Sequence, residues 1–332
     1  MKKLSSLTTL LMALLIICSC ASCKNSKKDT VTEDHLGLKP EGPKFNADSA
    51  YAFCKKQCSF GPRVMNSAAH DQCGVWIADM FKKFGCKVTE QKTTVKGWDG
   101  KALHCTNIIA SYNPEATTRI LLCAHWDSRP WADNDPDSTN HHKPVMAAND
   151  GASGIGVMLE IARLLQKDKQ LEIGVDFVCF DAEDYGTPYW TKSDENSWAL
   201  GAQYWAEHAR GNYEARYGIL LDMVGAQGAT FYQESMSKKY AQDVLDKVWN
   251  AAQSAGFGSM FSKTEGGAIT DDHIPVNQKA GIPTIDIIPY YPDCQQSSFG
   301  PTWHTVSDDM INLDKNTLQA VGQTIIQTLY SE

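Results

Sequence analysis

Histidine and carboxylate side chains follow three apolar segments of the chain, at the points where predicted strands end. His125 and Asp127 follow the first segment, Glu183 and Asp184 follow the second, and Asp222 follows the third. Imidazole and carboxylate groups are ligands that zinc and similar cations accept, and a catalytic metal site keeps one position open for substrate or water. These residue types therefore predict a metal site that takes part in catalysis.

Two further residues complete the candidate ligand set. Asp150 precedes a Gly-Ala-Ser-Gly run at the predicted start of a helix, and His304 lies in a loop after the last predicted strand. Either residue alone is more typical of a turn or a helix cap, and an aspartate before a helix is a common N-cap. The prediction depends on the coincidence of five candidate ligands: His125, Asp150, Asp184, Asp222 and His304.

The adjacent carboxylates Glu183 and Asp184 indicate a division of roles. Two neighbouring carboxylates repel each other unless cations or protons compensate for their charge. Neighbouring side chains point in opposite directions as a strand ends, so one is expected to face the metal while the other acts as a general acid–base. The spacing does not decide which residue has which role, and an acidic surface turn is the alternative. Asp127 is expected to pair with His125 and fix the tautomer of its ring.

Alternating strands and helices are expected to position these residues. The predicted helices cover 46–58, 67–84, 154–166, 199–209, 237–255 and 315–330, with Asn46 or Asp48 and Ser67 as candidate caps. The predicted strands cover 86–95, 102–111, 119–124, 175–180, 217–221 and 282–288. Continuous apolar strands between amphipathic helices are typical of a mostly parallel or mixed central sheet flanked by helices. We therefore predict a single α/β domain over 45–332, with ligands bound beyond the carboxyl ends of the strands.

The composition fits a large globular domain. The chain has 332 residues, of which 42% are hydrophobic and 10% aromatic, and this argues against disorder, collagen-like repeats and coiled coils. The formal net charge is −8, so nucleic acid is not an expected partner. Several tryptophans fall in predicted strand-end loops, where they indicate a small apolar pocket: Trp126, Trp131, Trp190, Trp198 and Trp303.

The first 23 residues have the features of an export signal. Lys2 and Lys3 precede an apolar run over 10–18, which is too short to span a membrane comfortably. The Ile-Cys-Ser-Cys run that ends at Cys20 resembles a bacterial lipobox, so the alternatives are lipidation of Cys20 or simple signal-peptidase cleavage. Residues 24–44 are polar and aperiodic and are predicted to form a flexible tether. The protein is thus expected to be exported by a bacterium, as a periplasmic protein or a membrane-anchored lipoprotein.

The cysteines that follow the export signal are expected to include both disulfide-bonded residues and free thiols. Export exposes the chain to oxidising conditions, so disulfides are expected among some of the eight cysteines that follow residue 23. No pair among these eight has the CxxC spacing of a structural zinc site. Cys123 and Cys179 lie inside apolar runs and are expected to be buried free thiols.

Taken in order, the candidate residues resemble the pattern of a known family. The M28 family of exported zinc aminopeptidases shows the same succession over the whole predicted domain, 45–332, carried here by His125-x-Asp127, Asp150, Glu183-Asp184, Asp222 and His304. Three features are more similar to the animal-type glutaminyl cyclases within that family: Asp271-Asp272-His273-Ile274-Pro275, Trp303 directly before His304, and Tyr189-Trp190 after the acidic pair.

The resemblance implies a zinc aminopeptidase-like fold and a role for each residue. Asp150, Asp184 and His304 would bind one zinc ion. Glu183 would be the acid–base catalyst, with Asp271 in a hydrogen-bond network beside it. The other implied residues are Asp222 in that network, His125, Asp127 and Asp222 around the zinc or at a second metal, and Trp190, Trp303 and Tyr291 in substrate binding. The implied reaction converts the N-terminal glutamine of peptides and proteins to pyroglutamate and releases ammonia.

The chain departs from the cyclase pattern in three places. Asp184 stands where the cyclases usually have glutamate, so its carboxylate is one methylene closer to the backbone. The Gly-Ala-Ser-Gly run after Asp150 is closer to the aminopeptidases. Some animal enzymes form a disulfide beside the site, and because only Cys123 has a near counterpart here, that bridge is not expected.

Two alternative functions remain open. A two-zinc aminopeptidase would use the same five ligands, with Glu183 activating a water that releases N-terminal residues. An inactive surface lipoprotein would keep the fold and bind peptides or glycans, although the intact Glu183 argues against this. One zinc ion is expected and two are not excluded, and a monomer is expected in each case.

Overall fold

The computed structural model of the protein describes residues 41–168 and 170–332. The predicted export signal and nearly all of the predicted tether lie outside the described residues. Within the described ranges, no helix combines the length and the apolar character needed to cross a bilayer. The main helices are α1 (Ala47–Cys58), α2 (Ala68–Lys83), α3 (Ala152–Lys167), α4 (Leu200–Ala209), α5 (Ser235–Ser254), the short α6 (His273–Pro275) and α7 (Lys315–Tyr330).

Side-chain caps explain where the first two helices begin. The Asn46 side chain accepts a hydrogen bond from the N–H of Ser49 (3.0 Å), and the Ser67 hydroxyl accepts one from the N–H of His70 (3.2 Å). Both bonds satisfy N–H groups that have no partner inside the helix. The caps predicted at Asn46 and Ser67 are confirmed, and the predicted ends of the helices and strands differ from the observed ones by at most two residues.

A six-stranded mixed sheet forms the centre of the domain, in the order β1-β2-β4-β3-β5-β8. The hairpin β1–β2 is antiparallel and β2 pairs antiparallel with β4, whereas β4, β3, β5 and β8 run parallel. The strands are β1 (Lys87–Lys96), β2 (Ala102–Tyr112), β3 (Arg119–His125), β4 (Gly174–Phe180), β5 (Gly218–Leu221), β6 (Phe231–Gln233), β7 (Phe261–Glu265) and β8 (Thr284–Ile287). β6 and β7 form a separate two-stranded sheet that the sequence did not predict.

Both faces of the sheet are covered, which explains the continuous apolar strands. Along β3, Ile120 and Leu122 pack into the large core under α1, α2, α3, α5 and α7. Leu121 and Cys123 alternate with them and pack into a smaller core against α4. Strand side chains alternate between the two faces, so a strand buried on both sides is mostly apolar. The predicted α/β domain with helices on both faces is confirmed.

The cysteines of the described chain do not pair. All eight are free, so the expectation of disulfides among them is wrong: Cys54, Cys58, Cys73, Cys86, Cys105, Cys123, Cys179 and Cys294. Cys123 and Cys179 are fully buried, as predicted, and burial raises the pKa of both thiols well above the usual value. A thiol in such surroundings is a small apolar side chain and is chemically inert.

Candidate active site

Three parallel strands deliver the candidate residues to one edge of the sheet. β4, β3 and β5 are neighbours, and their carboxyl ends lie side by side. His125 is the last residue of β3, Glu183 and Asp184 follow β4, and Asp222 follows β5 directly. This topology brings together side chains that are far apart in the sequence, at the edge where α/β sheets bind ligands.

Asp150, Asp184 and His304 form a first group of potential metal ligands. One ligand atom from each lies within 4.8 Å of the others, and all three residues are buried. Nε2 of His304 lies 3.2 Å from Oδ1 of Asp184 and 3.6 Å from Oδ2 of Asp150. The other oxygen of Asp184, Oδ2, is buried without a hydrogen-bond partner. An imidazole and two carboxylates, one of which has a free buried oxygen, fit a zinc ion.

A second group shares Asp150 with the first. Nε2 of His125 lies 3.0 Å from Oδ1 of Asp150 and 3.2 Å from Oδ1 of Asp222, and the three residues again place ligand atoms within 4.8 Å of one another. The two carboxylate oxygens of Asp150 thus face different histidines, His125 and His304. This geometry accommodates one metal ion or two.

Asp127 holds the acidic pair in place. Its two carboxylate oxygens accept hydrogen bonds from the N–H groups of Glu183 and Asp184, both at 3.1 Å. Its Oδ1 also lies 3.4 Å from Nδ1 of His125. Sequence analysis predicted the contact with His125 but not the bonds to the backbone. Asp127 therefore links the end of β3 to the loop that carries Glu183 and Asp184.

Arg129 and Asp133 support the first ligand group, and sequence analysis missed both. Arg129 donates two hydrogen bonds of 2.6 Å to the carboxylate of Asp133 and one of 3.3 Å to Oδ1 of Asp184. The guanidinium stacks between the rings of Trp131 and Trp198, at 5.3 and 4.8 Å. These contacts hold the pKa of Asp133 below its usual value although burial opposes this. The proximity of Arg129 to Asp127 in the sequence was the one available signal.

Asp308 fixes the position of Asp150 and was also missed. Its carboxylate accepts hydrogen bonds from the N–H groups of Asn149 (2.8 Å) and Asp150 (2.9 Å). Burial and the neighbouring Asp150 carboxylate raise the pKa of Asp308 to about 7. Asp308 lies four residues after His304, so one short segment supplies a candidate ligand and a support for another. Nothing in its sequence context distinguishes it from an ordinary loop aspartate.

A cavity of about 270 Å³ opens beside the two ligand groups. Its polar wall includes Asp150, Glu183, Asp222, Asp271 and His304, and its apolar wall includes Trp198, Ile288, Phe299 and Trp303. Pockets for small ligands usually measure about 300–1,000 Å³. This cavity lies just below that range, and its size suits a single residue at the end of a peptide.

Burial changes the acidity of the carboxyl groups in this wall. Burial, together with the nearby Asp271 and Asp184 carboxylates, raises the pKa of Glu183 well above that of a normal glutamate. Burial and Asp222 raise the pKa of Asp271 to about 7. Asp286 lies fully buried in β8, near Asp271. Burial and the Asp271 carboxyl group raise the pKa of Asp286 well above that of a normal aspartate. A carboxylate inside an otherwise apolar strand was a signal that sequence analysis did not use.

The aromatic part of the cavity differs from the expectation. Trp303 lines it and stacks on the ring of His304, with 3.8 Å between the ring centres. Trp190 does not line it, since the residue is 40% exposed and its ring packs on Trp131 and His142. Trp198 lines it instead, since its ring lies against the backbone of Gly186, where a Cβ atom would come within 2.0 Å.

Tyr291 also lies outside the cavity wall. Its hydroxyl donates a hydrogen bond of 3.2 Å to the carbonyl of Gln227, and its ring covers Gly300. These contacts stabilise the loop that leads towards His304. The substrate-binding roles expected for Trp190 and Tyr291 therefore have no support from their positions.

Unusual backbone conformations occur beside the candidate residues. Ala182, Met223 and His304 have φ values of 54°, 49° and 53°, in the left-handed region that residues with a Cβ rarely adopt. Gly151 has a φ of 104°, and a Cβ there would lie 2.7 Å from the carbonyl oxygen of Asp127. Such conformations cost about 1–3 kcal/mol each and are concentrated at functional sites. The strained residues here are His304 itself and direct neighbours in sequence of Asp150, Glu183 and Asp222.

Comparison with known proteins gives the class to which this fold and site belong. Residues 107–329 match the family described as Peptidase family M28, and this region includes every candidate ligand. The chain belongs to peptidase family M28. The resemblance stated from the sequence is confirmed at the level of the family and of its zinc aminopeptidase-like fold.

Two solved structures with different names resemble the chain to the same degree, and a third relative is more distant. A solved glutaminyl cyclase of Bacteroides thetaiotaomicron, bound to N-acetylhistamine, is 50% identical with a TM-score of 0.85, over 88% of this chain and all of that one. A leucine aminopeptidase precursor from the same species is 50% identical with a TM-score of 0.84, over 89% of this chain and all of that one. The glutaminyl-peptide cyclotransferase of Bos taurus is 25% identical, over 66% of this chain and 64% of that protein. The chain spans between about half and two thirds of the length of the first curated relatives it matches.

Proposed function

We propose that the protein is a zinc-dependent glutaminyl-peptide cyclotransferase of the animal type, which converts N-terminal glutamine of peptides and proteins to pyroglutamate. The observation on which this proposal rests is the position of Asp271 in the cavity wall, with Glu183 and Asp222. A carboxyl group there belongs to the cyclase pattern, whereas the aminopeptidases usually have a small hydroxyl residue. The 50% identity to a solved bacterial glutaminyl cyclase supports the proposal.

The reaction is an intramolecular substitution within one residue. The α-amine nitrogen bonds to the carbon of the side-chain carboxamide, and the bond from that carbon to the carboxamide nitrogen breaks, so that ammonia leaves. Because both groups belong to one residue, the cavity has to hold the productive rotamer and needs no second substrate. The rings of Trp198, Phe299 and Trp303 form an apolar wall that limits access of water to this residue.

Glu183 carries the proton in this scheme. Its ionised carboxylate accepts a proton from the attacking amine and delivers it to the leaving nitrogen. The raised pKa of Glu183 lets its carboxylate take up a proton more readily than an ordinary glutamate does, as a proton carrier must. Asp127 accepts a hydrogen bond from the N–H of Glu183 and thereby fixes the backbone from which the Glu183 side chain extends.

Asp271 acts in its protonated form. With a pKa raised to about 7 by burial and Asp222, it can keep a proton near neutral pH and donate a hydrogen bond to the reacting carboxamide. Its Oδ2 is buried and has no hydrogen-bond partner, so this oxygen is available to a bound group. Asp222 lies between Asp271 and His125, within 3.2 Å of Nε2 of the latter, and links the network to the ligand group.

Asp150, Asp184 and His304 would hold the zinc ion. Zinc bound there supplies Lewis-acid polarisation of the side-chain carbonyl. His125 would orient Asp150 and Asp222 through its Nε2, with Asp127 on its other nitrogen.

The second candidate function is a two-zinc aminopeptidase. It is favoured by the second ligand group, in which His125, Asp150 and Asp222 place ligand atoms within 4.8 Å of one another. The 50% identity to a protein named leucine aminopeptidase precursor also supports it. In that enzyme Glu183 would activate a water molecule. The third alternative, an inactive binding protein, is disfavoured by the complete set of candidate ligands and the buried Glu183.

The proposal extends to the location of the enzyme. The positive residues Lys2 and Lys3, the short apolar run and Cys20 support export, with the folded domain either free in the periplasm or tethered to a lipid. Replacing Cys20 by serine separates these forms. If Cys20 is lipidated, the wild-type protein partitions into detergent while Cys20→Ser remains in water; equal partitioning of both would favour simple cleavage.

The function is tested by Asp271→Ser, which gives the chain the residue type of the aminopeptidases. We expect cyclisation of a Gln-initiated peptide to fall by about 10²-fold or more, with zinc retained. Asp243→Asn, a change at an exposed carboxylate on α5, is the matched control and should leave the rate unchanged. Full cyclisation by Asp271→Ser would contradict the assignment.

A further inference from the structure

A second cavity adjoins the candidate active site. It measures about 440 Å³ and shares part of its wall with the first: Glu195, Trp198, Ala268, Ile269, Thr270 and Asp271. On its far side it is lined by residues of α4 and of the turn after α6, among them Gln203, Gln278 and Lys279. We call this second cavity the outer groove. It is the more polar of the two, whereas the first is walled mainly by apolar side chains.

The outer groove lies where the rest of a peptide substrate has to go. The first cavity is large enough for one terminal residue, and its apolar wall includes the rings of Trp198 and Trp303. A peptide held there by its first residue must continue outwards. The wall shared by the two cavities leads directly from Asp271, beside the reacting groups, into the outer groove.

Glu195 brings a negative charge to the wall of the outer groove. Nζ of Lys279 lies 2.7 Å from Oε1 of Glu207 and 3.2 Å from Oε1 of Gln203, so its charge is already compensated. The exposed carboxylate of Glu195 has no hydrogen-bond or ion-pair partner among the described residues. Glu195 lies in the wall that both cavities share. A peptide that leaves the first cavity therefore passes an uncompensated negative charge.

Hydrogen bonds hold the backbone of Glu195 in a defined place. It begins the turn Glu195–Ser197, and the Asp194 side chain caps this turn by accepting from the N–H of Asn196 at 3.0 Å. Nε2 of Gln203 donates to the carbonyls of Asn196 (3.1 Å) and Trp198 (2.9 Å). Since Gln203 belongs to α4, these bonds fix the turn to a regular element. The backbone from which the Glu195 side chain extends is therefore held rigidly, as is expected of a residue that determines specificity.

We propose that the outer groove binds the residues that follow the N-terminal glutamine, and that Glu195 selects substrates with lysine or arginine at the second position. This inference rests on the proposed function. An exposed charge pair contributes little to affinity, so the expected preference for a lysine peptide over the matching glutamate peptide is about threefold to tenfold in kcat/KM. The preference should shrink as salt is added, because solvent-exposed charges are screened.

The test measures kcat/KM for three peptides that differ only at the second position: Gln-Lys, Gln-Ala and Gln-Glu. The wild-type protein should prefer the lysine peptide, Glu195→Gln should lose most of that preference, and Glu195→Lys should reverse it. Glu214→Gln is the matched control, because it removes an exposed carboxylate just before β5, at the amino end of this strand and opposite to the candidate site. This variant should keep the wild-type preference.

The outcomes separate this inference from the function on which it rests. Cyclisation of all three peptides at equal rates, or a preference that survives in Glu195→Gln, would overturn the role of Glu195 while leaving the cyclase assignment intact. Failure of the wild-type protein to cyclise any of the peptides would overturn the proposed function and this inference with it. A preference that disappears equally in Glu214→Gln would also contradict the role of Glu195, because net charge alone would then explain it.

Discussion

The carboxylate of Asp133 lies 3.4 Å from Nδ1 of His304. A proton held on Nδ1 by this carboxylate leaves Nε2 of His304 free to face Asp184 and Asp150, at 3.2 and 3.6 Å. Outer carboxylates of this kind fix the tautomer and the orientation of metal-binding histidines. Asp133 is therefore placed to orient His304 for a metal ion without being a candidate ligand itself.

Replacing Asp133 by asparagine should weaken zinc binding. The loss of charge removes the partner that holds the proton on Nδ1 of His304, and it also releases Arg129 from its paired hydrogen bonds. Changes to such outer partners typically reduce metal affinity by about tenfold to a hundredfold. Competition with a chelating dye measures this affinity. Asp243→Asn serves as the control, and an unchanged affinity in Asp133→Asn would contradict the positioning role.

The two members of the acidic pair should fail in different ways. Glu183→Gln keeps the shape of the side chain and removes the proton carrier, so zinc should stay while turnover falls by about 10²–10⁴-fold. Asp184→Ala removes a ligand whose Oδ1 lies 3.2 Å from Nε2 of His304, so zinc affinity and activity should fall together. Elemental analysis and a rate assay on the same samples give both quantities.

Two other outcomes for Glu183→Gln and Asp184→Ala would contradict the roles assigned to these residues. Loss of zinc in Glu183→Gln with retention in Asp184→Ala would show that the two roles are inverted. Full activity in both variants would show that the pair is an acidic turn without a catalytic role.

Trp198 and Trp190 should differ in their importance for substrate binding. Trp198 lines the cavity, so Trp198→Ala should lower kcat/KM for a Gln-initiated peptide by at least about tenfold. Trp190 is 40% exposed and lies outside the cavity wall, so Trp190→Ala is the matched tryptophan control and should change kcat/KM by less than about threefold. A larger effect at Trp190 than at Trp198 would restore the role that the sequence first suggested. Thermal unfolding of both variants checks that the fold is intact.

Removal of zinc should destabilise the folded protein. Without a cation, the buried carboxylates of Asp150, Asp184 and Asp222 oppose one another, and burial already raises the pKa of the last two. A chelator should therefore lower Tm and abolish activity, and added zinc should restore both, because zinc binds the native state selectively. Asp184→Ala is the control, since its Tm should respond much less to the chelator. An unchanged Tm in the wild-type protein would argue against a metal at this cluster.

The fold was predictable because its strands obey one simple rule. β3 and β4 are buried on both faces, so their sequences are mostly apolar and can be read without knowledge of the partner strands. The buried Asp176 of β4 departs from this rule and pairs with Arg119 of β3. Asn46 and Ser67 mark helix starts through local hydrogen bonds, which a sequence also reveals. β6 has three residues and β7 has five, and such short segments show no usable period.

The candidate site was predictable only where it follows the strands. His125, Glu183, Asp184 and Asp222 stand at or just after strand ends, where topology alone brings them together. Asp133 and Asp308 lie in irregular loops, and only the folded chain shows that they contact His304 and the backbone of Asp150. Sequence analysis placed both Trp190 and Trp198 among the loop tryptophans of the expected pocket. Only the fold shows that Trp198 lines the cavity and Trp190 does not, because spacing within a loop does not reveal which ring turns inwards. The catalytic and ligand roles themselves stay predictions that the experiments above address.

The central claim is the reaction, and one measurement tests it most directly. Purified protein with zinc is incubated with a peptide that begins with glutamine, and the products are followed by mass spectrometry. A cyclase gives a peptide that is lighter by one ammonia and keeps its first residue, and this is the predicted result. Release of free glutamine, leaving the peptide one residue shorter, is the hydrolytic result of the two-zinc aminopeptidase and would contradict the account.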